Sequence, residues 1–152
     1  MRKISIYLSA VAIGMVTLVS CSSDDNTPDQ EPIDNHLLGK WNLNTADVKI
    51  YVNDQLQQEM NEVPAEEIGA VQFDFKEDGT VDYAFSDEEF SEEITGTYEK
   101  NGNILTITID NEPQTFEILL NDSNNLHLYL EEEETYQEML LRTEAVFKFI
   151  KM

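Results

Sequence analysis

The chain predicts an all-β domain, an antiparallel up-and-down barrel of roughly eight or nine short strands. Three observations lead there. From Leu38 onward apolar residues alternate with polar ones, the pattern of strands with one buried face. Turn-forming pairs such as Asn53-Asp54, Asp78-Gly79 and Asn101-Gly102 separate the alternating runs. The links are short enough to be hairpins, and a meander of that kind can close edge to edge, which removes exposed strand edges. A β-sandwich fits the same strand count but calls for Greek-key crossovers, and stands as the alternative.

Taken in order, Trp41 and Leu43 share one face of the first strand, and Val48, Ile50 and Val52 share a face of the next stretch. Residues 55–69 read as a short helix or an irregular loop over one barrel end. Leu56, Met60 and Val63 have helical spacing there, but Pro64 follows at once. Val71, Phe73 and Phe75 return across Asp78-Gly79 as Val81, Tyr83 and Phe85. Residues 86–91 form an acidic loop. Ile94, Gly96 and Tyr98 mark a strand answered, across Asn101-Gly102, by Leu105, Ile107 and Ile109. Residues 110–113 turn the chain into Phe116 and Ile118, and residues 121–125 turn it into Leu126, Leu128 and Leu130. The acidic run 131–134 reads as a solvated loop or strand edge, and 135–144 is ambiguous between strand and helical turn. Ala145, Phe147 and Phe149 alternate along the last strand. A one-residue slip would bury Gln72, Asp74, Asp82 and Lys148, so the register is well determined.

Ahead of the domain lie two further segments, giving a division into 1–20, 21–36 and 37–152. Arg2-Lys3 precedes an uncharged apolar run to Val19, about the length of a signal-peptide core. The run ends in Leu18-Val19-Ser20-Cys21, which resembles the bacterial lipobox. That resemblance implies cleavage before Cys21, a diacylglyceryl thioether on its sulfur and an acyl chain on its new amino group. Two or three chains anchor durably where one does not. Ser22-Ser23-Asp24-Asp25-Asn26 resembles the surface-export signal of certain Gram-negative bacteria. The expected location is therefore the outer membrane, lipid-anchored and exposed at the cell surface, with the periplasmic face as the alternative. Residues 22–36 are polar, with Pro28 and Pro32, and read as a flexible acidic tether.

Composition excludes several functions. The 31 Asp+Glu against 9 Lys+Arg give a net charge of -22, which repels phosphate backbones and argues against nucleic acid. Cys21 is the one Cys, so a lipidated chain has no thiol left for an internal disulfide, a zinc cluster or a nucleophile. The two His, His36 and His127, adjoin no Gly-x-Ser-x-Gly elbow. No catalytic residue, metal site or cofactor is expected beyond the lipid on Cys21. Weak calcium binding by Asp87-Glu88-Glu89 or by residues 131–134 is the open alternative, without the spacing of a calcium loop.

Gly39-x-Trp41, the turn Asp78-Gly79-Thr80 and the strand Gly96-Thr97-Tyr98 resemble, in that order, small bacterial lipocalin-like domains. The resemblance covers residues 38–151 and implies a barrel that binds small molecules and is not an enzyme. It also implies that Trp41 closes the barrel base under a stacked cation, for which Arg142 is the candidate although it precedes the last strand; the competing reading is that Arg142 balances the acidic run 131–134. Tyr83, Phe85, Tyr98 and Phe116 are the candidates to line a pocket for a small apolar ligand; ordinary core is the competing reading of the same aromatics. The function expected is a membrane-anchored surface lipoprotein that binds a small apolar ligand or a protein partner. The alternative is an interaction module with a filled barrel.

Overall fold

The computed structural model describes residues 36–87 and 89–152. Its elements in order are β1 (Gly39–Val52), β2 (Gln55–Pro64), α1 (Ala65–Ile68), β3 (Ala70–Phe75), β4 (Thr80–Ser86), β5 (Ser91–Asn101), β6 (Ile104–Ile109), β7 (Glu112–Asn121), β8 (Asn125–Tyr136) and β9 (Met139–Lys151). The predicted leader and tether, including Cys21, lie outside the described residues apart from His36, as does Glu88.

Every pairing is antiparallel. One edge of β1 pairs with β9 along residues 41–52. The other edge is divided: residues 39–42 pair with β3 and residues 45–52 with β2. From β3 to β9 each strand pairs with the next, so the sheet closes on itself and β2 is laid on as an extra strand. Closure decides for the barrel over the sandwich.

Local chemistry explains most of the turns. Asn53-Asp54, Asp110-Asn111 and Gln137-Glu138 all take positive φ at both positions, the signature of the hairpin turn whose twist matches the strands. Asn101 pairs with Ile104, so the central turn residues are Gly102-Asn103, one position later than the sequence indicates. Gly102, at φ 59°, takes the first central position, where this turn needs glycine.

Two segments differ from expectation, and a third, open between strand and loop or helical turn, resolves as strand. The first two alternating stretches are one 14-residue strand, because a bulge between Leu43 and Thr45 shifts the alternation and keeps Trp41, Leu43 and Ala46 buried. Residues 55–64 are a strand and not a helix or loop. The pairing of β2 with β1 shifts register twice, which hides its period-2 pattern and leaves its apolar residues at helical spacing. Helix is confined to the four residues after Pro64. Residues 131–144 are the outer part of a long β8–β9 hairpin.

The core is densest at the end where β1 begins. Leu37, Trp41, Phe75, Val81, Leu105, Leu126 and Leu128 are fully buried there and along the barrel axis. The Trp41 indole N–H donates to the Leu37 carbonyl at 2.7 Å, so the buried ring leaves no orphan donor. Tyr98 meets Phe75 edge-on at 5.0 Å and donates its hydroxyl to the Lys76 carbonyl at 2.7 Å. Phe73 joins the next layer, 5.6 Å from Tyr83 and 5.4 Å from Phe149. Val71, Tyr83 and Phe147 are half-buried against this cluster.

Candidate functional site at the open end of the barrel

The opposite end is built differently. Beyond residue 42, β1 leaves β3 and pairs with β2. The upper part of β3 then has no partner on that side, and a wedge opens between β2 and β3. Helix α1 lies at the wedge, with Ala65 and Ile68 packed against the core. A cleft of 440 Å³ lies beside it, bounded by α1, upper β3, upper β4 and the start of β5.

Apolar residues Leu43, Val71, Phe85 and Ala65 form part of its wall, and Asn42, Gln72, Glu66, Glu92 and Glu93 supply the polar part. The Gln72 side-chain N–H donates to the Asn42 amide oxygen at 2.7 Å, tying β3 to β1 where they part. Val71, Phe85 and Glu92 are cross-strand neighbours, so the register places them in one row at the barrel rim. Burial, and after it the charge of Glu92, pushes the Tyr83 phenol above its ordinary range.

Phe85 holds its position because of a glycine. A Cβ on Gly69 would lie 2.4 Å from the Phe85 ring, and Gly69 has φ +116°, which L residues rarely adopt. Its N–H donates to the Ala65 carbonyl at 2.7 Å and so ends α1 under the ring.

Of the four aromatics expected to line a pocket, the cleft includes Phe85. Tyr83 stands one position further in on the same face, against Phe73. Tyr98 and Phe116 belong to the packed core. The cation over Trp41 is the Lys151 ammonium, 4.9 Å from the ring centroid, and not Arg142. Arg142 is the cross-strand partner of Tyr51 and stacks 4.3 Å over that ring, 3.6 Å from Glu144. It reaches a ring on its neighbouring strand, whereas Trp41 pairs with Lys151 at the far end of β9. Sequence reasoning also missed Leu43, Ala65, Glu66 and Glu92. The alternation Glu92-Ile94-Gly96-Tyr98 carried a signal for Glu92, which shares its parity with the buried Tyr98.

Among the described residues, no group of three or more His, Asp or Glu side chains is placed to hold a metal ion. His127 pairs across the sheet with Lys148. Lys148 lies 2.8 Å from Asp47 and also bonds Glu62, and the Glu62 backbone N–H donates to Asp47 at 2.8 Å. This seam fastens the bulged part of β2 to the barrel wall.

A family model described as a lipocalin-like domain matches residues 37–128, more than half of the chain. The chain belongs to that family. The match ends inside β8, so the rest of β8 and β9, the strand that closes the barrel, lie beyond it. A lipocalin-like protein from Bacteroides uniformis is similar in structure, with 16% identity and a TM-score of 0.48 over 77% of this chain and 99% of that one. An uncharacterized protein from Bacteroides eggerthii has 14% identity and a TM-score of 0.45 over 76% of this chain and 98% of that one. Bovine odorant binding protein, in complex with a selenium-containing odorant, has 14% identity and a TM-score of 0.45 over 89% and 78% of the two chains. No curated protein matches.

Proposed function

We propose that this protein is an exported, lipid-anchored binding protein that takes a small apolar molecule into the cleft at the open end of its barrel and does no chemistry on it. The observation that carries this is the cleft itself. Its 440 Å³ falls within the range of small-molecule sites, about 300–1,000 Å³. Its apolar wall stands where β1 leaves β3 for β2 and the barrel wall parts. The lipocalin-like fold agrees, since such barrels typically hold small hydrophobic ligands. The anchor rests on Leu18-Val19-Ser20-Cys21, and display at the outer surface rests on the acidic stretch that follows. Mass spectrometry of molecules extracted from protein purified out of native membranes tests the binding role. A recurrent apolar species supports it, and an empty protein counts against it. Cys21→Ala should release the chain from the membrane fraction or leave the leader uncleaved. Unchanged fractionation together with an unchanged N-terminal peptide mass would remove the anchor from the reading.

One observation favours a second reading. The interior from Trp41 to Phe116 is packed with side chains, leaving the centre of the barrel filled. In that reading the protein is an interaction module that works through its acidic exterior, and the extracted spectrum is blank.

A further inference from the structure

We infer that the cleft selects an apolar molecule carrying a positive charge, such as an ammonium on a hydrocarbon or aromatic body, and rejects an apolar carboxylate such as a fatty-acid anion. This rests on the reading of the cleft as a ligand site and adds the charge class of the ligand. The wall formed by Leu43, Val71 and Phe85 accepts the apolar body. The polar side chains around it include Glu66, Glu92 and Glu93, and among the described residues no Lys or Arg lines the cleft. Glu92 is placed to act on a ligand inside the rim, since it is the cross-strand partner of Phe85 and its charge is felt at the Tyr83 phenol.

The bases of the described residues lie elsewhere. Lys49 pairs with Glu59, Lys76 with Asp82, and Lys148 with Asp47. Arg142 lies over Tyr51 and Lys151 over Trp41. Lys40 adjoins Trp41 at the start of β1, and Lys100 adjoins the β5–β6 turn. An anionic ligand in the cleft would meet carboxylates with no countercharge in the lining. A cation there meets the carboxylates of Glu66, Glu92 and Glu93, which are exposed at the rim, so the attraction is modest and falls with salt.

A matched pair of probes tests this. The full-length chain in phosphatidylcholine nanodiscs is titrated with 1-naphthylmethylammonium or with 1-naphthoate, with empty nanodiscs as the blank. The expected result is that the ammonium binds and the carboxylate binds at least about tenfold more weakly. Glu92→Gln should lower the ammonium affinity roughly fivefold. Glu99→Gln makes the same change in net charge on the outward face of β5, away from the cleft, and should leave the affinity unchanged. Gly69→Ala should drive the Phe85 ring into the cleft and abolish binding. Equal or tighter binding of the carboxylate overturns the charge inference while the apolar site stands. Equal losses in Glu92→Gln and Glu99→Gln overturn it as well, because net charge alone would then be responsible. Unchanged binding in Gly69→Ala overturns the placement in the cleft. If neither probe binds, the reading of the cleft as a ligand site fails and the inference fails with it.

Discussion

The two ends of the barrel contrast sharply. At the closed end β1 runs between β3 and β9, aromatic rings fill the interior, and Trp41 is fully buried with its N–H bonded. At the open end the same strand changes partner, the wall parts beside α1, and carboxylates border apolar side chains. One end gains stability from burial. The other gives up wall contacts and gains an accessible cleft. With the proposed ligand site at the open end, stability and recognition are separated along the barrel axis, and mutations at the two ends should fail in different assays.

The largest effect is expected at Trp41. Truncating a buried Trp to Ala costs about 3–5 kcal/mol, a large share of a small domain's stability. The same change leaves the Leu37 carbonyl without its indole partner. Trp41→Ala should unfold the domain or lower its urea midpoint steeply by circular dichroism. A midpoint close to wild type would show that the closed end is not where the stability resides.

Two glycines sharpen the contrast. A Cβ on Gly96 would meet the Thr108 carbonyl oxygen at 2.3 Å and Ile109 at 3.0 Å, so β5 and β6 would have to move apart. Overpacking of this kind costs about 1–3 kcal/mol. Gly96→Ala should lower the melting temperature and leave ligand binding in the surviving folded fraction intact. Gly69→Ala puts its methyl against the Phe85 side chain at the open end, where the ring can swing, so binding should be lost there. If both variants lose binding in proportion to stability, the ends are not independent.

Much of the closed end was legible in the sequence. Phe73, Val81, Leu105, Ile107 and Leu128 follow strict alternation, and each is buried. The open end was less legible because its determinants are not local. The bulge after Leu43 interrupts alternation within one strand, and β2 carries two register shifts that imitate helical spacing. Glu92 joins the rim through its partnership with Phe85, and that pairing is fixed by a turn which the sequence shows only as an acidic loop. Arg142 was plausible as the partner of Trp41 until the register placed Lys151 opposite that residue and Arg142 opposite Tyr51.

A smaller effect separates those two cations. Lys151 covers the Trp41 ring and also donates to the His36 carbonyl at 3.1 Å. A cation over an aromatic face at a partly exposed site contributes about 0.5–1 kcal/mol. Lys151→Met should lower stability by about that much and shift the Trp41 fluorescence maximum. Arg142→Met should leave the Trp41 spectrum where it is. A spectral shift in Arg142→Met alone would restore the assignment drawn from sequence.

The smallest effect concerns the seam that holds β2 to the wall. Burial pulls the Asp47 carboxyl up, but hydrogen bonds from Lys148 and from the Glu62 backbone N–H outweigh it, and the group titrates below its ordinary range. The Glu62 carboxyl is also lowered, first by the hydrogen bond from Lys148 and then by that from Thr45. The Lys148 ammonium is raised by its bonds to Asp47 and then Glu62. For the two lowered carboxyls, the contribution to stability is present above their unfolded values, about pH 4, and fades as pH falls through the folded ones. For Lys148 the contribution is complete below its unfolded value, about pH 10.4, and fades as pH rises through the folded one. The seam is therefore intact across the neutral range and releases in acid. Surface pairs of this kind contribute little, so Lys148→Met should lower the melting temperature only slightly at pH 7. The gap to wild type should then narrow as pH falls below about 4 and close as it passes through the lowered values of the two carboxyls in the folded protein. Amide exchange should locate the effect, with faster exchange in β2 of the variant at neutral pH and no change around Trp41. A gap that persists unchanged at pH 3 would show that Lys148 acts through packing and not through charge, and would tie the two ends together more closely than the barrel geometry implies.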